Sequence, residues 1–218
     1  MKGINAETEK VFKQLSELSW VKNYTLIGGT ALSLQINHRI SEDLDFCKWK
    51  RDKNDKPEVE IGEIESDLHA IGILKKNIFD FNQVDYVLNN GIKLSFYANQ
   101  LYQSPVMSNR LVSGNIKVPD LISLGAMKLE LMLRRATFRD YYDIYAILKE
   151  GISLKKMVAL AGKYSRYQLK SKNILSFILN EENYKYEEEF IRLKPKYAVD
   201  ARNIQQFIED CYQKEYRR

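Results

Sequence analysis

The apolar residues at the start of the chain recur at the spacing of a helix. These residues are Val11, Phe12, Leu15 and Leu18. Their period predicts an amphipathic helix over residues 6–20. The apolar run YTLIG at 24–28 then predicts a short strand that stops at Gly28-Gly29. The segment ALSLQIN at 31–37 predicts a second helix, with Thr30 in position to cap it.

The segment EDLDFCKW at 42–49 changes to the alternation of a strand. Leu44 and Phe46 alternate with Asp43 and Asp45. Because successive side chains of a strand point to opposite faces, the two apolar residues share one face and the two carboxylates share the other.

Two further patterns complete the first half of the chain. VEIGEIESDLHAIG at 59–72 is typical of a helix. VDYVLNNGIKLSFYA at 84–98 alternates on both sides of Asn89-Asn90-Gly91, which predicts a β-hairpin with its turn at these three residues.

Helical spacing dominates the chain after about residue 117. One helix is predicted to start near Pro119-Asp120 and to run to residue 135, and 138–150 either continues it or forms another helix. The further segments predicted as helices are 153–165, 168–180 and 200–216. Since the predicted strands are confined to the first half, we expect an α+β protein with an α/β domain at 1–115 and a helical domain at 116–218.

Composition narrows the class of protein. The chain has 218 residues, of which 44% are hydrophobic and 29% charged, as in ordinary globular proteins. Cys47 and Cys211 are the two cysteines, which argues against a disulfide framework. The N-terminus lacks the apolar core of a signal peptide, and no run approaches membrane-spanning length. We therefore expect a cytoplasmic protein without a membrane partner.

The charge is distributed unevenly along the chain. Residues 1–100 carry 13 Lys and Arg against 15 Asp and Glu, whereas residues 101–218 carry 21 against 14. The bases between 149 and 172 are Lys149, Lys155, Lys156, Lys163, Arg166, Lys170 and Lys172, with Tyr164 and Tyr167 among them. This basic segment could bind the phosphates of RNA, or it could be a solvated helix face.

The glycine pair and the D-x-D motif together suggest phosphate chemistry. A Gly-Gly turn before a helix lets backbone N–H groups approach an anion closely. Two carboxylates on one strand face suit Mg²⁺, which completes its coordination with water and substrate phosphates. Each motif alone has a simpler interpretation, since two glycines commonly form only a turn and an acidic strand face is commonly only solvated.

The motifs in combination resemble the nucleotidyltransferase superfamily, in which a strand, a glycine pair and a D-x-D strand follow one another. LIGGTALSLQINHRISEDLDF (26–46), LGAMKLELMLRR (124–135) and FRDYYDIYAIL (138–148) are similar to the AbiEii/AbiGii toxin branch, including the MenT-like tRNA-modifying toxins. The similarity covers about residues 24–148. It implies a nucleotidyltransferase-like mixed sheet with flanking helices, followed by a helical C-terminal bundle.

The resemblance implies a role for particular residues. Those expected at the nucleotide phosphates are Gly28, Gly29, Thr30, Arg39 and Ser41. Asp43 and Asp45 are expected to bind Mg²⁺. Lys128 would reach the triphosphate, and Asp140 and Asp143, which share a helix face, would orient Lys128 or the nucleotide.

The residues themselves leave alternatives open for some of these positions. Lys128 could be an ordinary surface lysine. Asp140 could form an ion pair with Arg135 or Arg139. His38 could be structural, and Arg39 could pair with an aspartate when no metal is bound.

One position departs from the superfamily pattern. A later strand usually supplies a third carboxylate, often the general base for the acceptor hydroxyl. Ser95 occupies the corresponding position in GIKLSFYA, and a serine neither binds Mg²⁺ well nor accepts a proton near neutral pH. Asp85 on the preceding strand is an alternative carboxylate, and Asp80 is a weaker one.

The expected function is Mg²⁺-dependent transfer of a nucleoside monophosphate from an NTP to an acceptor hydroxyl. The basic C-terminal half favours an RNA 3′ end, such as that of tRNA, as the acceptor. The resemblance implies a toxin that works beside a cognate antitoxin protein. Two alternatives remain: a protein of this fold that binds NTP and a partner with little turnover, and a nucleotidyltransferase acting on a small molecule.

Overall fold

The computed structural model describes residues 1–80, 82–100, 104–165, 169–185 and 187–217. The described helices are α1 Ala6–Glu17, α2 Gly28–Ile36, α3 Ile61–Ile71, α4 Leu121–Met132, α5 Phe138–Lys149, α6 Leu154–Tyr164, α7 Ser171–Ile178 and α8 Ala201–Tyr216. The described strands are β1 Thr25–Ile27, β2 Leu44–Trp49, β3 Ile73–Asp80, β4 Gln83–Leu88, β5 Lys93–Asn99, β6 Asn109–Ser113 and β7 Ile116–Pro119.

Five strands form a mixed sheet in the order β1-β2-β5-β4-β3. The neighbours β2 and β5 run parallel, and the other three pairs are antiparallel. The strands β6 and β7 form a separate antiparallel pair. This arrangement confirms the α+β prediction, and the hairpin predicted around Asn89-Asn90-Gly91 is the β4–β5 pair.

One face of the sheet is apolar because alternate residues of its central strands are apolar. Phe46 of β2 is in register with Phe96 of β5, which is in register with Val84 of β4. All three are fully buried, and the two phenylalanine rings stack with centroids 5.3 Å apart. Burial of this face stabilises the sheet, and by strand alternation it leaves residues such as Asp45 on the opposite face.

The helical part of the chain has its own core, built around α5. Residues 140–148 of this helix are all buried. The Tyr141 ring stacks on that of Tyr184 with centroids 3.9 Å apart, and Phe138 packs edge-on against Phe190. On α4, Gly125 allows close packing against α6, since a Cβ at this position would lie 2.1 Å from the Met157 sulfur.

The described chain divides into two compact units. Unit 1 comprises Met1–Gln35, Ile40–Ser104 and Ser108–Pro119, and unit 2 comprises Ile36–Arg39, Pro105–Met107 and Asp120–Arg218. Unit 1 contains both sheets, and α4 to α8 lie in unit 2. The domain division after residue 115 stays a prediction.

Three strands and one helix start differ from the sequence predictions. The pattern did not indicate β3, where Lys75, Lys76 and Asn77 interrupt the apolar alternation of an edge strand, nor did it indicate β6 and β7. The helix α2 begins at Gly28, so Thr30 lies inside the first turn and the prediction that it caps the helix is wrong.

No helix among the described residues is long and apolar enough to span a lipid bilayer.

Candidate functional site

Gly28 joins β1 to α2 and lies directly against the Asp45 carboxylate. Its φ is +73°, a conformation that favours glycine, and a Cβ built on it would lie 2.7 Å from Asp45 Oδ2. Both the backbone conformation and the space beside the carboxylate therefore require glycine here. Gly28 of the glycine pair thus lies next to Asp45 of the D-x-D motif.

The two carboxylates of the D-x-D motif lie at the start of β2. Asp43 precedes the strand and is exposed, while Asp45 lies within it and is half-buried. The negative charge of these residues reaches Lys93, whose pKa is raised first by its hydrogen bond to Asp85 and further by Asp45 and Asp43.

These residues fit a magnesium ion in part. Asp45, beside the Gly28 backbone, and Asp43, just before β2, supply hard carboxylate oxygens, the ligand type that Mg²⁺ prefers when it binds between protein and nucleotide. Among the described residues, no group of three or more His, Cys, Asp or Glu is arranged to hold a metal. Any bound Mg²⁺ would therefore take most of its ligands from water and substrate.

Thr30 and Ser41 fix the backbone segment that leads into β2. The Thr30 hydroxyl donates to the Asp43 carbonyl oxygen and lies 2.9 Å from Ser41 Oγ. Both side chains are buried. Their hydroxyl groups fix the backbone that carries Asp43, while their expected contact with nucleotide phosphates stays a prediction.

A row of register partners crosses the sheet on its polar face. It runs through Ile27, Asp45, Ser95, Asp85 and Asn77, one from each strand in spatial order. Register partners point to the same face. Asp85 therefore shares a face with Asp45 and Ser95, which settles the side-chain direction that the sequence left open. The Asp80 side chain lies outside the described part of the structure.

The second group of predicted residues forms a buried ion-pair cluster in unit 2. Lys128 Nζ lies 2.6 Å from Asp140 Oδ1 and 2.7 Å from Asp143 Oδ2. Lys128 is only 6% exposed and both aspartates are fully buried. The alternative that Lys128 is a surface lysine is therefore wrong. Both aspartates contact Lys128, while the expected role of these three residues at the nucleotide stays a prediction.

Asp143 is also held by two residues that follow α2. Arg39 contributes Nε at 2.7 Å and Nη2 at 2.9 Å, one to each carboxylate oxygen. His38 Nε2 lies 2.7 Å from Asp143 Oδ1, and the His38 carbonyl oxygen accepts from the Tyr142 hydroxyl at 3.2 Å. The aspartate that pairs with Arg39 is thus Asp143, a pairing that neither residue's local sequence specifies.

Asp140 has additional partners at the start of α5. Arg135 Nε lies 3.1 Å from its Oδ2, so Arg135 rather than the exposed Arg139 is the expected arginine partner. The Thr137 hydroxyl donates to the same oxygen at 2.8 Å and also caps α5. Asp140 of the R-D-x-x-D motif therefore contacts both the residue that caps α5 and Lys128.

The charges of this cluster compensate one another. Burial alone would raise the pKa of Asp143, but Arg39 and Lys128 outweigh it and hold that pKa well below its ordinary value. Burial likewise opposes the charge of Lys128, and the two aspartates outweigh burial and raise the Lys128 pKa. Both ions are thus stabilised in their charged forms near neutral pH.

The fold resembles that of solved nucleotidyltransferases. A crystal structure of an H. pylori protein described as a candidate nucleotidyltransferase superimposes with a TM-score of 0.55, at 19% sequence identity, over 95% of this chain and 94% of that one. An uncharacterized protein of Aquifex aeolicus (strain VF5) is 26% identical over 171 residues, which are 76% of this chain and 78% of its own.

The family follows from the match to the sequence itself. The model of the AbiEii family, described as the nucleotidyl transferase AbiEii toxin of type IV toxin–antitoxin systems, matches residues 10–216. The chain therefore belongs to the AbiEii family and is a nucleotidyltransferase of the toxin type. The resemblance inferred from the motifs at 26–46, 124–135 and 138–148 is confirmed.

Proposed function

We propose that this protein transfers a nucleoside monophosphate from an NTP to an acceptor hydroxyl, with Mg²⁺ as cofactor and a tRNA 3′ end as acceptor. The observation that supports this most directly is the contact between Gly28 and Asp45, because it sets a glycine backbone suited to phosphate beside a carboxylate suited to Mg²⁺. The match to the AbiEii family also favours nucleotidyl transfer as the reaction at this site.

In this proposal Asp43 and Asp45 hold the magnesium ion. Bound there, Mg²⁺ would neutralise phosphate charge on the nucleotide. The N–H groups of Gly28 and Gly29, in the first turn of α2, bind the phosphates, since the N-terminus of a helix attracts anions. Gly28 also keeps the Asp45 carboxylate in position by leaving it space.

Lys128 supplies a further positive charge to the triphosphate. An ammonium group has three N–H donors, and two of those of Lys128 go to Asp140 and Asp143. We propose that the third N–H group of Lys128 donates to a phosphate oxygen of the triphosphate. The two aspartates thus orient the lysine, and Arg39 orients Asp143 through its bidentate hydrogen bonds.

The exposed lysines of the C-terminal half are proposed to bind the RNA backbone. The members of the basic segment that the structure describes, Lys149, Lys155, Lys156, Lys163, Lys170 and Lys172, are all exposed. Arg166 and Tyr167 lie outside the described residues. Exposed lysines suit phosphate contacts, whose contribution to affinity falls as salt rises.

A transfer assay tests the proposal. The protein is incubated with each of the four NTPs labelled at the α-phosphorus, together with Mg²⁺ and total tRNA. We expect one or more NTPs to label the RNA, and we expect Asp43→Ala/Asp45→Ala to abolish labelling. Unlabelled RNA with all four NTPs, or undiminished labelling by the double variant, would contradict it.

Ser95, which stands where the superfamily usually has a third carboxylate, favours one alternative, an NTP-binding protein with little turnover. Calorimetry separates the two functions. Tight Mg²⁺-dependent binding of an NTP without any labelled product would support the binding protein.

The biological part of the proposal is a cytoplasmic toxin with an antitoxin partner. Its support is the toxin–antitoxin description of the family. We expect induced expression to arrest growth, the arrest to require Asp43 and Asp45, and co-expression of the product of the neighbouring gene to relieve it. Harmless expression of an active enzyme would instead favour a small-molecule acceptor.

A further inference from the structure

Lys93 is a partly exposed cation on the polar face of the sheet, and the function proposed above gives it no role. Its side chain is 44% exposed, and its Nζ lies 2.8 Å from Asp85 Oδ2. Its pKa is raised first by the hydrogen bond to Asp85 and further by the charges of Asp45 and Asp43. Lys93 therefore lies among three carboxylates, two of which are the proposed Mg²⁺ ligands.

The strand register places Lys93 beside Asp43. The strands β2 and β5 run parallel, with Leu44 in register with Leu94. Asp43 directly precedes Leu44, and Lys93 directly precedes Leu94. Since neighbouring strands lie about 5 Å apart, Lys93 is the neighbour of Asp43 across the sheet.

The glycine pair and Lys93 lie on opposite sides of Asp45 in the sheet. Gly28 directly follows Ile27, which is the register partner of Asp45 on β1. On the other side, Ser95 is the register partner of Asp45 on β5, and Lys93 lies two residues earlier on that strand. The carboxylate of the D-x-D motif thus separates a phosphate-binding turn from a lysine.

The geometry of the reaction gives these two sides to different substrates. The attacking and leaving oxygens lie roughly in line across the phosphorus that is transferred. If the leaving pyrophosphate lies beside Gly28 and Gly29, the acceptor approaches from the side of β5. The carboxylates around Lys93 repel a negatively charged acceptor, and the Lys93 charge offsets that repulsion.

We propose that Lys93 binds a phosphate of the acceptor, so that the acceptor is an RNA strand rather than an uncharged small molecule. An ammonium group has three N–H donors, and the contact with Asp85 uses one of them. The exposed part of the side chain can donate to a phosphodiester close to the acceptor hydroxyl. This role rests on the proposed function, and it adds a contact in the first half of the chain to those of the C-terminal lysines.

A simpler role for Lys93 is to neutralise Asp85, which is 5% exposed. Removing the partner of a buried carboxylate is strongly destabilising, so Lys93→Met alone would change both the fold and the charge of the surface. The test therefore uses Asp85→Asn as its background, because the carboxylate charge is already absent there. Adding Lys93→Met to that background then isolates the contribution of the lysine.

The opposite face of the sheet offers a matched control. Lys76 Nζ lies 2.6 Å from Glu65 Oε1, and the Lys76 side chain is 38% exposed. Its register partner is Tyr86, which alternates with Asp85 along β4 and is fully buried. Adding Lys76→Met to a Glu65→Gln background thus removes one charge from a comparable ion pair, away from the polar face.

The affinity for total tRNA is measured without NTP, by filter binding over a range of salt concentrations. We expect Lys93→Met in the Asp85→Asn background to weaken binding by about five- to tenfold and to lower the slope of log affinity against log salt by about 0.7–0.9, the contribution of one phosphate contact. The same step at Lys76 should leave the slope unchanged and the affinity within about twofold.

Two further measurements separate a phosphate contact from a structural effect. Lys93→Arg in the Asp85→Asn background keeps the charge and should keep the salt slope. Calorimetry should give the same NTP affinity for Asp85→Asn and Asp85→Asn/Lys93→Met, and thermal unfolding checks that each variant is folded at the assay temperature.

Three results would overturn the assignment of Lys93 while a wild type that labels tRNA keeps the proposed function intact. These are an unchanged tRNA affinity and slope, an equal loss in the Lys76 pair of variants, which would report overall charge, and a loss of NTP affinity, which would place Lys93 at the triphosphate. A wild type that labels no RNA with any of the four NTPs would instead overturn the proposed function, and the role of Lys93 with it.

Discussion

Gly28 meets two requirements at once, a backbone with positive φ and space for the Asp45 carboxylate. We predict that Gly28→Ala lowers the affinity for an Mg²⁺–NTP complex by about tenfold or more, because the new methyl group displaces the carboxylate and strains the backbone by about 1 kcal/mol or more. Calorimetry with the preferred NTP measures this loss.

Gly62 offers the matched control for this substitution. It lies within α3, and a Cβ there would meet no atom within 4 Å. Gly62→Ala should therefore leave NTP affinity unchanged and should not destabilise the fold. Equal affinity of Gly28→Ala and the wild type would show that the glycine is not part of the nucleotide site.

Lys128 is the residue on which the cluster of unit 2 depends. Removing its charge leaves Asp140 and Asp143 buried with less compensation. We predict that Lys128→Met lowers the free energy of unfolding by about 3–5 kcal/mol, the usual cost of removing one partner of a buried ion pair. Urea denaturation measures it.

An exposed lysine shows whether this cost is specific. Lys163 is exposed on α6, so Lys163→Met should change the free energy of unfolding by no more than about 0.5 kcal/mol. If the two variants are equally stable, the Lys128 ion pairs contribute nothing to the fold, and a loss of activity in Lys128→Met would then report function alone.

His38 makes the stability of the cluster depend on pH. Burial lowers its pKa, although Asp143 opposes the shift. As the pH falls, the His38 imidazole therefore becomes protonated in the unfolded chain before it does so in the folded chain. The contribution of His38 to the free energy of unfolding consequently decreases as the pH drops below about 6.5.

Because the chain has two histidines, a His69→Gln background leaves His38 as the sole one. We predict that NMR titration in that background gives a pKa below about 6.5. We also predict that the free energy of unfolding falls less between pH 7 and pH 5 in His38→Asn/His69→Gln than in His69→Gln alone. A His38 pKa above the ordinary value would contradict the account of the cluster.

At the scale of elements, the packing of α4 on α6 depends on a single glycine. A Cβ at Gly125 would lie 2.1 Å from the Met157 sulfur and 3.0 Å from its Cγ. We predict that Gly125→Ala destabilises the protein by about 1–3 kcal/mol through overpacking. In a Met157→Ala background the same substitution should cost less, and a double-mutant cycle from thermal unfolding measures the difference. An equal cost in both backgrounds would place the strain elsewhere.

The sequence predicted elements whose patterns are local. The strand–glycine–helix–strand motif at 24–49 and the hairpin at 84–98 were predictable because period, turn residues and motif spacing lie within short segments. The edge strand β3 was not, since Lys75, Lys76 and Asn77 face solvent and obscure its alternation.

The geometry of the site was predictable only in part. The residues of the cluster were named from their motifs, but the contacts from Arg39 and His38 to Asp143 join positions more than 100 residues apart. No local pattern specifies such a pairing. The register that sets Asp85 beside Ser95 likewise depends on the whole hairpin, although the turn at Asn89-Asn90-Gly91 was a signal from which it could be derived.

At the scale of the whole molecule, the chain combines an acidic motif in its first half with a basic second half. The net formal charge is +5. In the proposed function, Mg²⁺ and a triphosphate would bind at Asp43 and Asp45, and lysines of the C-terminal half would bind an RNA backbone. The family match over residues 10–216 covers both halves.

The central claim is that this chain moves the α-phosphorus of an NTP, with its nucleoside, to an acceptor. The most direct measurement compares NTPs labelled at the α- and γ-phosphorus in parallel reactions with tRNA and Mg²⁺. We predict label in the RNA from the α-position only, release of the γ-label as pyrophosphate, and no transfer with EDTA or with Asp43→Ala/Asp45→Ala. Transfer of the γ-label, or transfer that survives both controls, would contradict the account.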